Sequence, residues 1–468
     1  MTLQELLKDK PPTRKDVISR ADIRRNLEAT GTKLVVVDDD PTGTQTVHGI
    51  RVYMDWTLET MRRALSRNEP VFYISTNSRA LSQQEMRTLS IEVGKNLKTA
   101  AAGKNLRILI ASRSDSTLRG HYPAEVDALA EGLDFSADGV ILSPALFEAG
   151  RYTINDIHWV DQAGQLVKAG ETEFARDPVF GYRNSNLKEW VEEKTGGRWK
   201  AKDVLSLSLD AIRGEGPEGV LEILMQAQGG APIILNAVCY EDLEAAILAI
   251  MEAEKRGKRF VYRCAACFVK VRGGFIDRPL LSASELGIGK GPGLIIVGSY
   301  VEKTSRQLNS LLASGESEAI ELQVDQLAMG SDVGLREVER VVHRVDSLLN
   351  QGKTVAVYTS RTVRQAEGKE FLDFGNRVMT ALCNVVKFLH TRPNFVVAKG
   401  GISSIEIARK GLGVKEAYVP GQIAKGVPLW QLGPETKWPE MLYIVFPGNV
   451  GDDDTLRIVV EAVKGKDR

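Results

Sequence analysis

Short apolar runs recur along the chain, separated by longer amphipathic or polar stretches. They read KLVVVDDD, PVFYISTN, RILIASRSD, GVILSPA, PIILNAV, RFVYRCAA, GLIIVGSY, AIELQVD, TVAVYTS, NFVVAKGG and MLYIVFPGN. Many are rich in Val and Ile and apolar at consecutive positions, which predicts strands buried on both faces. Between them, TLETMRRALSR, SQQEMRTLSIEVGKNLKTA, LEAAILAIMEAEKRGK and REVERVVHRVDSLLNQGK space their apolar residues for amphipathic helices. Strand and helix patterns in alternation predict an α/β protein. The stretch Arg278 to Gly293, rich in Gly and Ser and holding two prolines, reads as a linker. The expected organisation is an N-terminal helical arm over 1–32, a domain over 33–280 and a second over 281–468. The arm breaks at Pro11 and Pro12. Each domain is expected to carry a largely parallel or mixed sheet flanked by helices.

Composition narrows the function. The 468 residues hold 61 basic and 61 acidic side chains, so the overall field does not favour nucleic acid. A local basic pocket for a small anion stays open. No apolar run approaches the ~18 residues of a membrane helix, and the charged N-terminus lacks a signal-peptide core. A cytoplasmic protein without a membrane partner is the expectation. The Cys264-x-x-Cys267 pair has no second pair to complete a zinc ribbon and reads as buried thiols. The five histidines show no HExxH spacing, and neither GxSxG nor GxxxxGK[ST] is present.

In open α/β sheets, ligands bind beyond the carboxyl ends of the strands. Polar, small and glycine residues cluster there repeatedly in this chain. After VVV comes DDDPTG, where Asp39 or Asp40 can bond sugar hydroxyls, take a proton or lie near a metal. Gly43 lets the backbone approach a ligand or turn sharply. RSDSTLRG, residues 113–120, flanks an aspartate and three hydroxyl residues with two arginines. Arg113 and Arg119 can each grip a carboxylate with a planar fork, while Ser114, Ser116 and Thr117 suit polyol hydroxyls. Such a set fits a small hydroxylated acid. GSYVEKTSRQ (298–307) and KGGISS (399–404) place small and hydroxyl residues at strand-to-helix turns, where exposed N–H groups attract phosphate. PGNVGDDDT (447–455) adds a third glycine loop. Its aspartates, Asp452 to Asp454, read as a cap of the last helix.

Together these segments resemble the four-carbon acid sugar kinases. The family's DD-x-TG segment is matched by Asp39-Asp40-Pro41-Thr42-Gly43, and its DST-x-RG segment by Asp115-Ser116-Thr117-Leu118-Arg119-Gly120. In the second half, Gly298-Ser299 followed by Thr304 and Gln307, Gly400-Gly401-Ile402-Ser403, Gly426-Val427-Pro428 and Pro447 to Gly451 match in order. The chain departs from the pattern at Ile402, where an acid is common, and at Phe446, where a lysine commonly opens the last loop. The resemblance implies ATP-dependent phosphorylation of the terminal hydroxyl of threonate, erythronate or an oxo-tetronate, with Mg²⁺. It implies that Asp39, Asp40, Thr42, Gly43, Arg113, Asp115, Ser116, Thr117 and Arg119 hold substrate. Asp39 or Asp40 would be catalytic. Gly298, Ser299, Gly400, Gly401, Ile402, Ser403, Gly448 and Gly451 would hold ATP. No residue is assigned to a metal. The partners are then a small sugar acid and ATP, with a homodimer left open. The alternative reading is a sugar-acid-binding protein with a degenerate ATP site.

Overall fold

The computed structural model describes residues 1–15, 17–40, 43–282, 285, 291–299, 301–360, 368–448 and 450–466, without the side chains of 368–373. Eighteen strands succeed one another along these residues. In the first half they are β1 (Thr32–Asp38), β2 (Ile50–Tyr53), β3 (Val71–Ser75), β4 (Arg107–Arg113), β5 (Gly139–Ser143), β6 (Arg151–Ile154), β7 (Ile157–Gln162), β8 (Gln165–Lys168), β9 (Leu205–Leu207), β10 (Ala231–Leu235) and β11 (Phe260–Cys264). The second half adds β12 (Leu294–Val297), β13 (Glu318–Leu322), β14 (Val355–Thr359), β15 (Phe395–Lys399), β16 (Glu416–Ala424), β17 (Val427–Leu432) and β18 (Leu442–Phe446). Each of the eleven apolar runs forms one of these strands, and the four helical patterns form helices. The fold is α/β, as the sequence pattern predicts.

The chain divides into two compact units, one of residues 1–46 and 55–277, the other of residues 47–54 and 278–468. In the first unit seven strands lie in the order β3-β1-β4-β11-β5-β10-β9, every neighbouring pair parallel. Strands β1, β3 and β11 are buried along their whole length, which explains their unbroken apolar sequence. A small antiparallel sheet, β6-β7-β8, belongs to the same unit. In the second unit β13-β14-β12-β15-β18 are parallel, and β17, β16 and β2 extend the sheet antiparallel. β2 pairs with β16 and is tied to it by Arg51 and Glu416 at 2.7 Å. The alternating burial of β16 hides it from a search for continuous apolar runs.

Two helices of the first unit fix what lies beside the strand ends. Ser82 and Glu85 close a capping box at the start of the helix Gln83–Ala101. That helix meets the helix Ala124–Leu133 at two glycines. A Cβ on Gly94 would lie 2.8 Å from the backbone of Gly132, and one on Gly132 would lie 2.4 Å from the carbonyl of Ile91. The contact is therefore backbone on backbone, and no rotamer change can relieve an added methyl. Gly132→Ala is expected to cost about 1–3 kcal/mol through helix displacement, read as a lower urea midpoint at unchanged slope.

Candidate functional site

Parallel register brings the carboxyl ends of the first unit's strands into one row. Asp38 of β1 stands opposite Ser75 of β3 and Arg113 of β4, and Cys264 of β11 stands opposite Arg113 and Ser143 of β5. Four aspartates gather at this edge, and guanidinium groups match them. Arg113 donates to Asp38 at 3.2 Å, both nearly inaccessible. Arg79, just after β3, grips Asp39 with two parallel bonds, Nε at 3.1 Å and Nη2 at 2.6 Å. Its Nη1 reaches Asp40 at 2.9 Å and lies 4.0 Å from Asp115. Arg119 donates to Asp115 at 2.8 Å and approaches Asp177 at 3.7 Å. Burial works against the Asp115 charge, but Arg79 and Arg119 outweigh it and hold that carboxyl well below the usual range. Asp38 goes the other way. Burial pushes it up to about 7, the nearby Asp39 and Asp40 add to the rise, and Arg113 offsets only part of it.

The loop from Asp115 to Gly120 is held from beneath by three side chains from separate elements. His158 of β7 meets the Ser116 carbonyl at 2.7 Å, Tyr182 donates to the Thr117 carbonyl at 2.8 Å, and Arg263 of β11 donates to the Arg119 carbonyl at 3.1 Å. A carbonyl only accepts, so His158 carries its proton on Nε2 while Nδ1 accepts from the Thr153 hydroxyl at 3.0 Å. Burial lowers His158 to about 4 and keeps it neutral. Glu125, on the helix Ala124–Leu133, accepts from Ser78 at 2.7 Å and Ser112 at 3.0 Å. Burial, reinforced by Asp39, pushes it up to about 7.

In the second unit, register aligns Val297 of β12 with Lys399 of β15 and Lys399 with Phe446 of β18. Each strand therefore delivers its glycine turn to the same edge. These turns hold Gly298-Ser299, Gly400-Gly401 and Pro447-Gly448. Space is tight: a Cβ on Gly298 would lie 2.5 Å from the Ser403 hydroxyl. Gly400 adopts φ +127°, a conformation side chains avoid. Thr304 reaches both the Ser299 hydroxyl and the Gly448 carbonyl at 3.4 Å, and Gln307 donates to the carbonyls of Val450 at 3.0 Å and Asp452 at 2.7 Å. Ile402, 59% exposed, stands on the outside of its turn. Lys399 is wholly buried and donates to the Pro447 and Gly448 carbonyls at 2.7 and 3.1 Å, with its ammonium 4.0 Å from the Phe446 ring centre. A lysine thus does reach this last loop, from the neighbouring strand. Burial, with Lys303 nearby, lowers Lys399 to about 7.

Asp39, Asp40, Gly43, Arg113, Asp115, Ser116, Thr117 and Arg119 all lie at the first edge; Thr42 falls outside the described residues. Gly43 sits so close that a Cβ would fall 1.5 Å from Asp38. Gly298, Ser299, Gly400, Gly401, Ile402, Ser403 and Gly448 lie at the second edge. Gly451 comes next at φ +81°, where a Cβ would meet Thr455 at 2.4 Å. The later aspartates support local structure: Asp452 accepts from the backbone of Asp454 and the hydroxyl of Thr455, and Asp453 pairs with Arg306 at 2.9 Å. Sequence reading missed Arg79, Asp38, Glu125, His158, Tyr182, Arg263 and Lys399. Arg79 had a signal, since TNSRAL comes directly after a buried strand. Asp38 and Lys399 open the DDDPTG and KGGISS stretches, but their roles, like those of the others, depend on tertiary contacts.

Glu125 offers a test of the buried charge pattern. Its raised value means the folded protein holds a proton that the unfolded chain releases near pH 4.5. The stabilisation is complete below that pH and is lost as pH rises through about 7. Glu125→Gln removes this loss. Its stability relative to the parent is expected to rise by on the order of 3 kcal/mol between pH 4 and pH 8, measured by denaturant titration at both.

Comparison with known proteins finds two family models along the chain. Residues 34–272 match a family model described as a sugar-binding N-terminal domain, and residues 294–456 match one described as a nucleotide-binding C-terminal domain. The D-threonate kinase of Salmonella typhimurium is 27% identical over 347 residues, 73% of this chain and 74% of that protein. A crystal structure of a Haemophilus influenzae protein superposes with a TM-score of 0.65 at 18% identity, over 92% of this chain and 100% of that one. Another, from Salmonella typhimurium LT2, gives 0.67 at 16% identity over 91% and 98%. These two likenesses speak for the fold alone. Motif order, both domain matches and the kinase relative agree: the chain belongs to the four-carbon acid sugar kinase family.

Proposed function

We propose that this protein transfers the terminal phosphoryl group of ATP to the terminal hydroxyl of a four-carbon sugar acid: threonate, erythronate or an oxo-tetronate. The observation that carries the reading is the alignment of three glycine turns at adjacent parallel strand ends of the second unit. Their N–H groups suit phosphates, and the close packing around Gly298 and Gly400 leaves the backbone itself as the binding surface. The first unit supplies hydroxyls, carboxylates and guanidinium groups for a polyhydroxy acid. The kinase relative supports the pairing of these two ligands.

Phosphoryl transfer asks mainly for positioning and charge neutralisation. Asp39 is 1% exposed and locked by two bonds to Arg79, so its work is to aim that guanidinium. Asp40 is more open, with 26% of its side chain accessible, and is the carboxylate placed to orient the acceptor hydroxyl and take its proton. Ser116, Thr117 and Arg119 bond the remaining polar groups of the acid. Mg²⁺ bound to the nucleotide would neutralise phosphate charge. Among the described residues no group of three His, Cys, Asp or Glu side chains is arranged for a metal, so its protein ligands are left unassigned.

A coupled ADP-release screen over the stereoisomers of threonate, erythronate and oxo-tetronate tests the reading. Acid-dependent ADP release with at least one of them is expected; none with any, in folded protein, rejects it. With the acid so found, Asp40→Asn is expected to lower kcat about 10²–10⁴-fold, while near-normal turnover would remove Asp40 from the mechanism. Gly298→Ala, whose methyl presses on Ser403, is expected to raise the KM for ATP at least about tenfold and to leave that for the acid within about twofold.

A further inference from the structure

Matching the arginines at the first edge to their acids leaves two over among the described residues, Arg151 and Arg263. Arg79 is matched by Asp39 and Asp40, Arg113 by Asp38, and Arg119 by Asp115. Arg151 opens β6, directly after Gly150 in the left-handed conformation (φ +67°). It has no carboxylate within ion-pair distance among the described residues. Its backbone is fixed by two bonds to Leu146, at 3.0 and 3.2 Å, and its Nη1 donates to the Ala149 carbonyl. Its Nε is buried without a hydrogen-bond partner. Arg151 and Arg119 both lie against the ring of Phe174, 5.6 and 5.1 Å from its centre. This unmatched cation therefore stands beside the Asp115–Arg119 loop. Arg263 also lacks an ion pair, but it is 2% exposed and is spent on the Arg119 carbonyl beneath the loop, out of a ligand's reach. Arg151 is half-buried and open.

A cation withdrawn from water without a counter-charge is unfavourable unless an anion arrives to meet it. Burial lowers the proton affinity of Arg151, the direction expected where nearby acids do not make up for lost water. With Nε sealed and Nη1 donating to the Ala149 carbonyl, the Nη1–Nη2 edge of the guanidinium is the one that can meet a carboxylate with two parallel bonds. Arg113, by contrast, is occupied with Asp38 and nearly sealed. We propose that Arg151 is the residue that receives the substrate's carboxylate and so selects acids over neutral sugars. This rests on the sugar-acid kinase reading and goes beyond it by naming the group that reads the acid. With the carboxylate placed at Arg151, Arg119 is left to its ion pairs and to the hydroxyls.

The test compares the parent, Arg151→Gln and Arg151→Lys on the acid found by the ADP-release screen and on its carboxamide, which has the same shape without the charge. The parent is expected to prefer the acid by at least about 30-fold in kcat/KM. Arg151→Gln is expected to lower kcat/KM for the acid at least about 30-fold, mostly through KM, and to bring the acid-to-amide ratio near one. Its KM for ATP is expected to stay unchanged. Arg151→Lys, keeping charge but not the fork, is expected to fall between the two. Equal losses on acid and amide, or an unchanged acid KM, overturn the assignment while leaving the kinase reading intact. A parent that turns over no sugar acid overturns both.

Discussion

Four carboxyl groups share one end of a parallel sheet, and guanidinium groups make that arrangement tolerable. Asp38, Asp39, Asp40 and Asp115 would repel one another in a site this poor in water. Arg79 stands among three of them and Arg113 closes on the fourth. The result is a polar surface with charges fixed in place before any ligand arrives. Fixed charges need no reorganisation when a reaction moves charge past them.

Both units solve a second problem alike. A ligand-binding loop must keep its shape while its polar groups face outward. In the first unit His158, Tyr182 and Arg263 each take one carbonyl of the Asp115–Arg119 loop. In the second, Lys399 takes the carbonyls of Pro447 and Gly448. Across a trans peptide the N–H points away from the carbonyl, so pinning the Pro447 oxygen inward turns the Gly448 N–H outward. Buried donors under the loops thus set the direction of backbone donors on top.

Much of this was legible in the sequence because parallel strands buried on both faces announce themselves as apolar runs, and the residues just after each run lie at its carboxyl end. That rule found DDDPTG, RSDSTLRG, GSY, KGG and PGN without any structure. It failed where periodicity was weak or burial alternated. β6, β7 and β8 are short and mixed in character, and β16 alternates. β2 could not be read at all, since its partner β16 lies more than 350 residues further along. Site residues were missed for a related reason. Nothing about His158 or Tyr182 in sequence says that a loop carbonyl waits for it. Nor does Arg113 announce that Asp38 already occupies it, leaving the less conspicuous Arg151 without an ion pair among the described residues.

The aspartate triplet shows how adjacent identical residues become different groups. Asp38 is the last residue of β1, and its carboxyl is buried between Arg113 and the space that only a glycine at position 43 leaves open. Its charge is costly there, and its proton affinity rises accordingly. Asp39, just past the strand, is inaccessible but lies in the fork of Arg79, where its charge aims a cation. Asp40 bonds the same arginine and keeps 26% of its side chain accessible. Moving out from the strand end by single residues converts a sealed acid into a clamped one and then into a partly exposed one. Repulsion within the triplet persists at close range, and Arg79, gripping Asp39 and Asp40 at once while Arg113 holds Asp38, is what lets three acids stand in a row.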